Sequence, residues 1–177
     1  MPLINTFTPE NAEGQVKEIY NQITNAFGSV PNALQIYSSS PALLARQWQN
    51  ISYYMQHPAL GFNLLAMMRM LISESTHCEY CVGFNEALLI NMGGLSHEQV
   101  AATKNNAQNA PLPDKDKAML LFVLKATKDA SAVNSTDIAT LKTHGWNDGD
   151  ILDGLAHGAY MLAGDTIFNA LKIEKDF

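Results

Sequence analysis

The sequence predicts an all-α protein, and three observations favour this fold class. Apolar residues recur with the 3.6-residue period of a helix along most of the chain. Capping residues and glycines mark the ends of these periodic segments. No segment shows the alternation of β-branched residues that is typical of strands. Since 177 residues suit one domain, we expect a single-domain helical bundle over residues 1–177.

Four helices are predicted in the first half of the chain, and capping residues or prolines open most of them. Their starts are expected at Thr8-Pro9-Glu10, Ser40-Pro41, Leu60 and the capping-box pattern Thr76-His77-Cys78-Glu79. Their ends are expected at Gly28, His57-Pro58, Ser73 and Met92. The third of these helices is apolar on most faces, so we expect it to be central.

Four further helices are predicted in the second half. Their starts are expected at Ser96-His97-Glu98-Gln99, Asp114, Ser135-Thr136-Asp137 and Asp148, and their ends near Lys104, Lys128, Gly145 and Lys172. Gly154, Gly158 and Gly164 fall inside the last helix. Each glycine costs up to about 1 kcal/mol relative to alanine, so we expect close approach of another helix as compensation. The polar stretch from Asn105 to Pro113 reads as a short linker.

The charge of the chain disfavours two classes of partner. Lys and Arg number 11 against 17 Asp and Glu, which gives a net charge of −6. Such a surface repels phosphate backbones and anionic membranes, so we expect neither nucleic acid nor membrane binding. The first residues lack a basic and apolar leader, and Arg69 and Lys125 interrupt the longest apolar runs. We therefore expect a soluble cytoplasmic protein, without a resident cofactor.

Cys78-Glu79-Tyr80-Cys81 is the strongest chemical signal, and it contains the two cysteines of the chain. Residues three apart share a helix face, so the sulfur atoms can come within reach of a disulfide. A helix N-terminus stabilises a thiolate and lowers the pKa of a thiol, which favours reversible oxidation. One alternative is a pair of small buried hydrophobic residues. The other is a zinc site, for which His77 and His97 would supply ligands at an unusual spacing.

Three polar neighbours are candidates for a role beside the sulfurs. His77 lies four residues before Cys81, where a helical turn would let it hold or take the proton of that thiol. The alternative is a solvent-exposed histidine in the first turn. Glu74 lies four residues before Cys78, and a solvated carboxylate is the favoured interpretation. Tyr80 lies between the sulfurs as a polar handle.

The run Leu71-Ile72-Ser73 followed by Cys78-Glu79-Tyr80-Cys81-Val82-Gly83-Phe84 resembles the carboxymuconolactone decarboxylase superfamily, and within it the alkyl hydroperoxidase D-like, peroxidase-related branch. Similar segments of that branch align with Gly28-Ser29-Val30-Pro31-Asn32, Ser40-Pro41-Ala42-Leu43-Leu44, Gly94-Leu95-Ser96 and Gly145-Trp146-Asn147-Asp148. The resemblance thus covers most of the chain. It implies an all-helical fold and a homo-oligomer, commonly a trimer or hexamer.

The proton relay of that branch is absent from its usual positions. The branch has a Glu twelve residues before the first cysteine and a His four residues after the second, and here these positions hold Ala66 and Asn85. By the resemblance, Cys81 attacks the peroxide, and Cys78 resolves it and exchanges with an external dithiol such as a thioredoxin or lipoyl-like reductant. His77, with Glu74 or Tyr80, is the candidate substitute for the relay.

Three functions therefore compete. The first is a thiol-dependent peroxidase or disulfide reductase in antioxidant defence, which the cysteine pair favours. The second is a non-catalytic, redox-sensing helical oligomer, which the missing relay favours. The third is a lactone decarboxylase, which would not need the cysteine pair.

Overall fold

The computed structural model describes residues 2–177, which contain nine α-helices and no strand, so the predicted all-α class is confirmed. The helices are α1 Gly14–Phe27, α2 Asn32–Gln35, α3 Pro41–Met55, α4 Phe62–Ser75, α5 Glu79–Asn91, α6 His97–Asn105, α7 Asp114–Lys128, α8 Ser135–Thr143 and α9 Asp148–Leu171. Short 3₁₀ helices cover Ile36–Ser39, Ala107–Asn109 and Ala130–Ala132. No helix within residues 2–177 combines the length and the apolar character of a bilayer span.

The predicted start of the first helix at Thr8-Pro9-Glu10 is wrong. The backbone N–H of Thr8 donates to Asn11 Oδ1 at 2.7 Å, and the N–H of Asn11 donates to the Thr8 carbonyl at 3.1 Å. These two bonds close a turn around the proline. Helix α1 begins only at Gly14, whose φ of +52° reverses the chain direction.

Two capping predictions have different outcomes. The box at Ser96 is confirmed, since the Gln99 N–H donates to Ser96 Oγ at 3.2 Å and the Ser96 N–H donates to Gln99 Oε1 at 2.9 Å. The box at Thr76 is wrong, because helix α5 begins at Glu79 with Cys78 as its N-cap. Thr76 instead ends helix α4, where its N–H donates to the Ile72 carbonyl at 3.2 Å.

The chain divides into two compact units. One consists of the segment ending at His57 together with Phe168–Phe177, and the other is Pro58–Ile167. In the first unit α1 packs against α3, and Trp48 Nε1 donates to Gln22 Oε1 at 2.8 Å. The second unit contains both cysteines. The single-domain organisation inferred from the length stays a prediction.

Helix α4 is the central element of the second unit, as its composition predicted. Seven of its apolar side chains are buried, and they are Leu64, Leu65, Ala66, Met67, Met68, Met70 and Ile72. It packs against α5, which follows it directly, and against α7. Polar side chains of α4 that contact the neighbouring helices therefore lie in the interior of this unit.

Two glycines of α9 lie where another helix approaches closely, which confirms the packing expected for them. A Cβ atom at Gly158 would lie 2.5 Å from Val123 Cγ1 of α7, and one at Gly154 would lie 2.8 Å from Met119 Sδ. Distances below 3.0 Å require the neighbours to shift. The absence of a side chain is therefore a packing requirement at Gly158, where the close atom belongs to a short branched side chain, whereas the flexible Met119 side chain beside Gly154 can shift more easily.

We expect Gly158→Ala to lower the free energy of unfolding by about 1–3 kcal/mol, because the added methyl group overpacks the contact with α7. This loss should outweigh the gain of about 1 kcal/mol in helix propensity. Urea denaturation measures the change. The matched control is Gly149→Ala in the first turn of α9, where the nearest atom is the end of the Asn147 side chain. Equal stability of the two variants would contradict the packing argument.

Candidate functional site

The two cysteines lie at the start of α5 and face each other. Cys78 is the N-cap residue, and Cys81 lies in the first turn of the helix. Both are free cysteines, with 1% and 3% of their surface exposed, and their Sγ atoms lie 2.7 Å apart. The geometry predicted from the Cys-x-x-Cys spacing is therefore present, and a disulfide can form between neighbouring atoms.

The turn between α4 and α5 holds Cys78 in place. The N–H of Cys78 donates to the Ser73 carbonyl at 2.9 Å, and the N–H of His77 donates to the Glu74 carbonyl at 3.2 Å. His77 has a φ of +56°, in the left-handed region that side chains other than glycine rarely adopt. The chain thus reverses sharply just before the cysteine, and the N-cap position is fixed by the end of α4.

Asp165 of α9 is the site residue that the sequence analysis missed. Its side chain is 1% exposed, and one oxygen of the carboxylate and both sulfur atoms lie within 4.8 Å of one another. Ser73 Oγ donates to Oδ1 at 2.9 Å, and Thr76 Oγ1 donates to Oδ2 at 2.7 Å. The hydroxyl that the capping-box pattern assigned to a backbone N–H is thus used to hold this carboxylate.

A sequence signal for Asp165 does exist. It lies eleven residues after Gly154 and seven after Gly158, so all three share one face of a helix. That face is the one on which the glycines meet neighbouring helices. An acidic residue on a buried helix face is rare unless it is hydrogen-bonded or functional.

The environment makes the two thiols unequal. The hydrogen bond from the Cys81 thiol lowers the pKa of Cys78, and the backbone N–H of Cys81 lowers it further, while burial opposes both effects. The same hydrogen bond raises the pKa of Cys81, and burial and the charge of Asp165 raise it further. When the pair loses its first proton, the negative charge therefore lies on the sulfur of Cys78. The Cys81 thiol then donates a hydrogen bond to that thiolate. The attacking role that the resemblance implies for Cys81 stays a prediction.

Arg69 of α4 brings a positive charge towards Cys81. Its Nε donates to Asn85 Oδ1 at 2.7 Å, and Asn85 Nδ2 donates to the Cys81 carbonyl at 2.8 Å. Burial lowers the pKa of Arg69 to about 10, and the nearby Cys81 opposes this shift. Asn85, at the position where the resemblance expects a histidine, therefore links a guanidinium to the first turn of α5.

His157 of α9 lies on the other side of Arg69. Its Nε2 is 3.3 Å from Arg69 Nη1, which can only donate, so Nε2 is the acceptor and the ring is neutral. The remaining ring nitrogen carries the proton and donates to the Leu65 carbonyl. Burial lowers the pKa of His157 to about 3, and the charge of Arg69 acts in the same direction.

The other sequence candidates, His77, Glu74 and Tyr80, lie in the segment around the cysteines. His77 is exposed and precedes α5, so the helical spacing that would have aligned it with Cys81 does not apply. Glu74 forms an ion pair with Lys104 of α6 at 3.0 Å. Tyr80 is buried, and its ring stacks on Phe84 with centroids 5.9 Å apart. Catalytic roles for these three residues stay predictions.

The donor set at the sulfurs fits a metal ion poorly. Cys78, Cys81 and Asp165 could supply three ligands, and no fourth His, Cys, Asp or Glu among residues 2–177 joins this group. Structural zinc sites have four protein ligands. Both oxygens of Asp165 already accept hydrogen bonds from hydroxyls. The arrangement is better suited to exchanging protons between neighbouring acidic groups.

The fold has clear structural relatives. No protein-family model matches the chain, and no curated protein matches its sequence. An uncharacterized peroxidase-related protein from Ralstonia eutropha JMP134, described as an alkylhydroperoxidase AhpD core, matches with a TM-score of 0.85 and 20% identity over 99% of this chain and 92% of that one. The uncharacterized peroxidase-related protein from Silicibacter sp. TM1040 gives the same four values. The chain has an AhpD-like fold.

The AhpD-like fold also occurs in a protein with a different activity. The debrominase Bmp8, in a cysteine-to-alanine variant bound to 2,3,4-tribromopyrrole, matches with a TM-score of 0.80 and 13% identity over 98% of this chain and 91% of that one. These likenesses confirm the fold that the sequence resemblance implied. A shared fold does not by itself determine the chemistry of a site.

Acid should destabilise the protein through His157. The pKa of His157 in the folded protein, about 3, lies below its ordinary value of 6.5. Between these two pH values the imidazole is therefore protonated in the unfolded chain and neutral in the folded protein. We expect the free energy of unfolding to fall by up to about 1.4 kcal/mol per pH unit from this group as the pH drops below 6.5. Urea denaturation from pH 7 to pH 4.5 measures the slope.

The matched comparison for this prediction is His157→Gln against His97→Gln at the exposed start of α6. The first variant should show a smaller loss of stability with acid than the wild type, and the second should keep the wild-type slope. An imidazole NMR signal of His157 that showed protonation above pH 5 would contradict the prediction.

Proposed function

We propose that this chain belongs to the AhpD-like branch of the carboxymuconolactone decarboxylase superfamily and acts as a dithiol peroxidase through Cys78 and Cys81. The observation that carries the proposal is the pair of free thiols, 2.7 Å apart, at the N-terminus of α5. A helix N-terminus and a lowered pKa of Cys78 favour a thiolate, which is the reactive form of cysteine. The guanidinium of Arg69 lies near Cys81 and would stabilise a negative charge on that sulfur.

The reaction has three balanced steps. A thiolate attacks one oxygen of the peroxide, the O–O bond breaks, and the sulfur becomes a sulfenic acid while the alcohol or water leaves with a proton. The second thiol attacks the sulfenic sulfur, which forms the disulfide and releases water. An external dithiol of the thioredoxin or lipoyl type then reduces the disulfide and is itself oxidised.

Either cysteine could be the first nucleophile. The resemblance implies that Cys81 attacks the peroxide, whereas the pKa order favours a thiolate on Cys78. Dimedone traps sulfenic acids, and each single-cysteine variant lacks the thiol that would remove them. Labelling of Cys81 in Cys78→Ser supports the resemblance, and labelling of Cys78 in Cys81→Ser supports the pKa order.

The burial of the sulfurs and the missing relay favour a second candidate, a redox sensor. With 1% and 3% of their surface exposed, the cysteines need local movement before a large partner reaches them. Ala66 and Asn85 cannot move protons as Glu and His do. We propose a homo-oligomer, a trimer or hexamer, in either case. Exposed apolar side chains of α9, Leu152 and Tyr160, are consistent with such an assembly.

We expect the reduced protein to consume hydrogen peroxide and tert-butyl hydroperoxide in a dithiol-dependent reaction, and both Cys78→Ser and Cys81→Ser to lower that rate to background. Coupled reduction by dihydrolipoamide or by thioredoxin measures turnover. Ser75→Ala, which changes an exposed hydroxyl of the same turn, should keep the wild-type rate.

The outcomes of this assay separate the candidates. Equal rates in the wild type and the cysteine variants would remove the peroxidase proposal. A background rate in all three, with a change of oligomer size on oxidation, would favour the redox sensor. Dithiol-dependent release of bromide from 2,3,4-tribromopyrrole in place of peroxide consumption would place the same thiol pair in a reductive debromination.

A further inference from the structure

Asp165 is a buried carboxylate held by two hydroxyl groups. In the described part of the chain it forms no ion pair with Lys, Arg or His, and its hydrogen-bond donors are the hydroxyls of Ser73 and Thr76. Burying an unpaired carboxylate is costly, by several kcal/mol in proteins. Two hydroxyls hold both of its oxygens in one orientation, with one oxygen within 4.8 Å of each sulfur.

The position of this carboxylate limits how the thiols can lose a proton. If a thiol proton escaped to solvent, the buried site would hold two negative charges, on a sulfur and on Asp165. If the proton moved to Asp165 instead, the site would keep a single negative charge. In a poorly solvated site the second route is favoured, because like charges a few ångströms apart repel strongly.

We propose that Asp165 is a catalytic residue that takes the proton from the cysteine pair and returns it to the leaving oxygen, an inference that rests on the proposed thiol chemistry. The S–H proton passes to the carboxylate as the thiolate forms. When the thiolate attacks the peroxide and the O–O bond breaks, the carboxylic acid gives this proton to the departing alkoxide or hydroxide. Asp165 is thereby regenerated, and the site needs neither the Glu nor the His that are absent at Ala66 and Asn85.

Charged and titratable groups face the thiol pair from two neighbouring helices and from the turn before α5. Asp165 faces the pair from α9, and its charge raises the pKa of Cys78 and of Cys81. Arg69 faces Cys81 from α4 with the opposite charge. His157 stays neutral beside Arg69, and His77 is exposed on the turn before α5.

The test is Asp165→Asn, which keeps the shape of the side chain and removes its charge. The rate of alkylation by iodoacetamide, followed from pH 5 to pH 10 on the reduced protein, reports the reactive thiol without any peroxidase activity. We expect the apparent pKa of that thiol to fall by about 1–2 units in the variant, because a neighbouring negative charge is gone. Peroxide turnover should fall by about 10²-fold or more, because the thiolate forms readily but the leaving oxygen lacks its proton donor.

The matched control is Asp153→Asn, a carboxylate on the same helix about 18 Å from Asp165 along its axis. It should leave both the alkylation profile and the turnover at wild-type values. An unchanged alkylation profile in Asp165→Asn would overturn the inference, even with reduced turnover, since a structural role would not move the profile.

A measurement on the wild type keeps the inference testable if the variant does not fold. The ¹³C NMR signal of the Asp165 carboxyl should shift over the pH range in which the thiol pair titrates in the reduced protein. It should stay constant over that range in the disulfide form. The same pH dependence of the carboxyl signal in the reduced and the disulfide forms would overturn the inference.

The two proposals can fail separately. A carboxyl signal of Asp165 that follows the titration of the thiols, with no peroxide turnover in the wild type, would remove the peroxidase function and keep the proton acceptor. Full turnover and a wild-type alkylation profile in Asp165→Asn would remove the proton acceptor and keep the peroxidase.

Discussion

The second unit depends on the confinement of two thiols and a carboxylate in a space from which water is excluded. Cys78, Cys81 and Asp165 are each nearly fully buried, and their acidic atoms lie within 4.8 Å of one another. Groups that would be independent in water are therefore coupled, since the charge of one changes the proton affinity of the others. The negative charge of Asp165 accordingly acts to raise the pKa of both thiols.

Helix α4 supplies the polar contacts that make this confinement possible. Ser73 and Arg69, four residues apart on one face of this helix, reach α9 and α5 through Asp165 and Asn85 respectively. A hydrogen bond between buried polar groups contributes modestly when it is made, but a lost partner leaves a strongly unfavourable group behind. These contacts link α4 to both α5 and α9. The glycines of α9 matter for the same reason, because they allow that helix to approach closely enough for its carboxylate to reach the turn before α5.

Local patterns were sufficient for most of the fold. The continuous apolar run at residues 118–124 located α7 at Asp114–Lys128, and the capping box at Ser96 has both of its predicted hydrogen bonds. The cysteine pair was found as well, because its geometry depends on four consecutive residues. The first helix start was misplaced because Thr8 and Asn11 satisfy each other within a turn, which a helix-start pattern does not reveal.

The chemistry around the pair could not be read in the same way. The hydroxyl of Thr76 binds a carboxylate that lies 89 residues further along the chain, so a local capping rule assigned it the wrong partner. The left-handed backbone of His77 similarly removes that residue from the helical register on which its alignment with Cys81 depended. Arg69 was visible only as a charge that interrupts an apolar run. Its contacts with Asn85 and His157 exist because three helices meet, and no spacing within one segment encodes them.

Burial of the cysteine site also separates its electrostatics from the ionic strength of the medium. Ion pairs at the surface of this unit, such as that of Lys104 with Glu74, lie where dissolved ions can screen them. The interaction between Asp165 and the thiols has no such access to counter-ions, and it retains its strength in concentrated salt. We therefore expect the pKa values of the two thiols to depend only weakly on salt concentration.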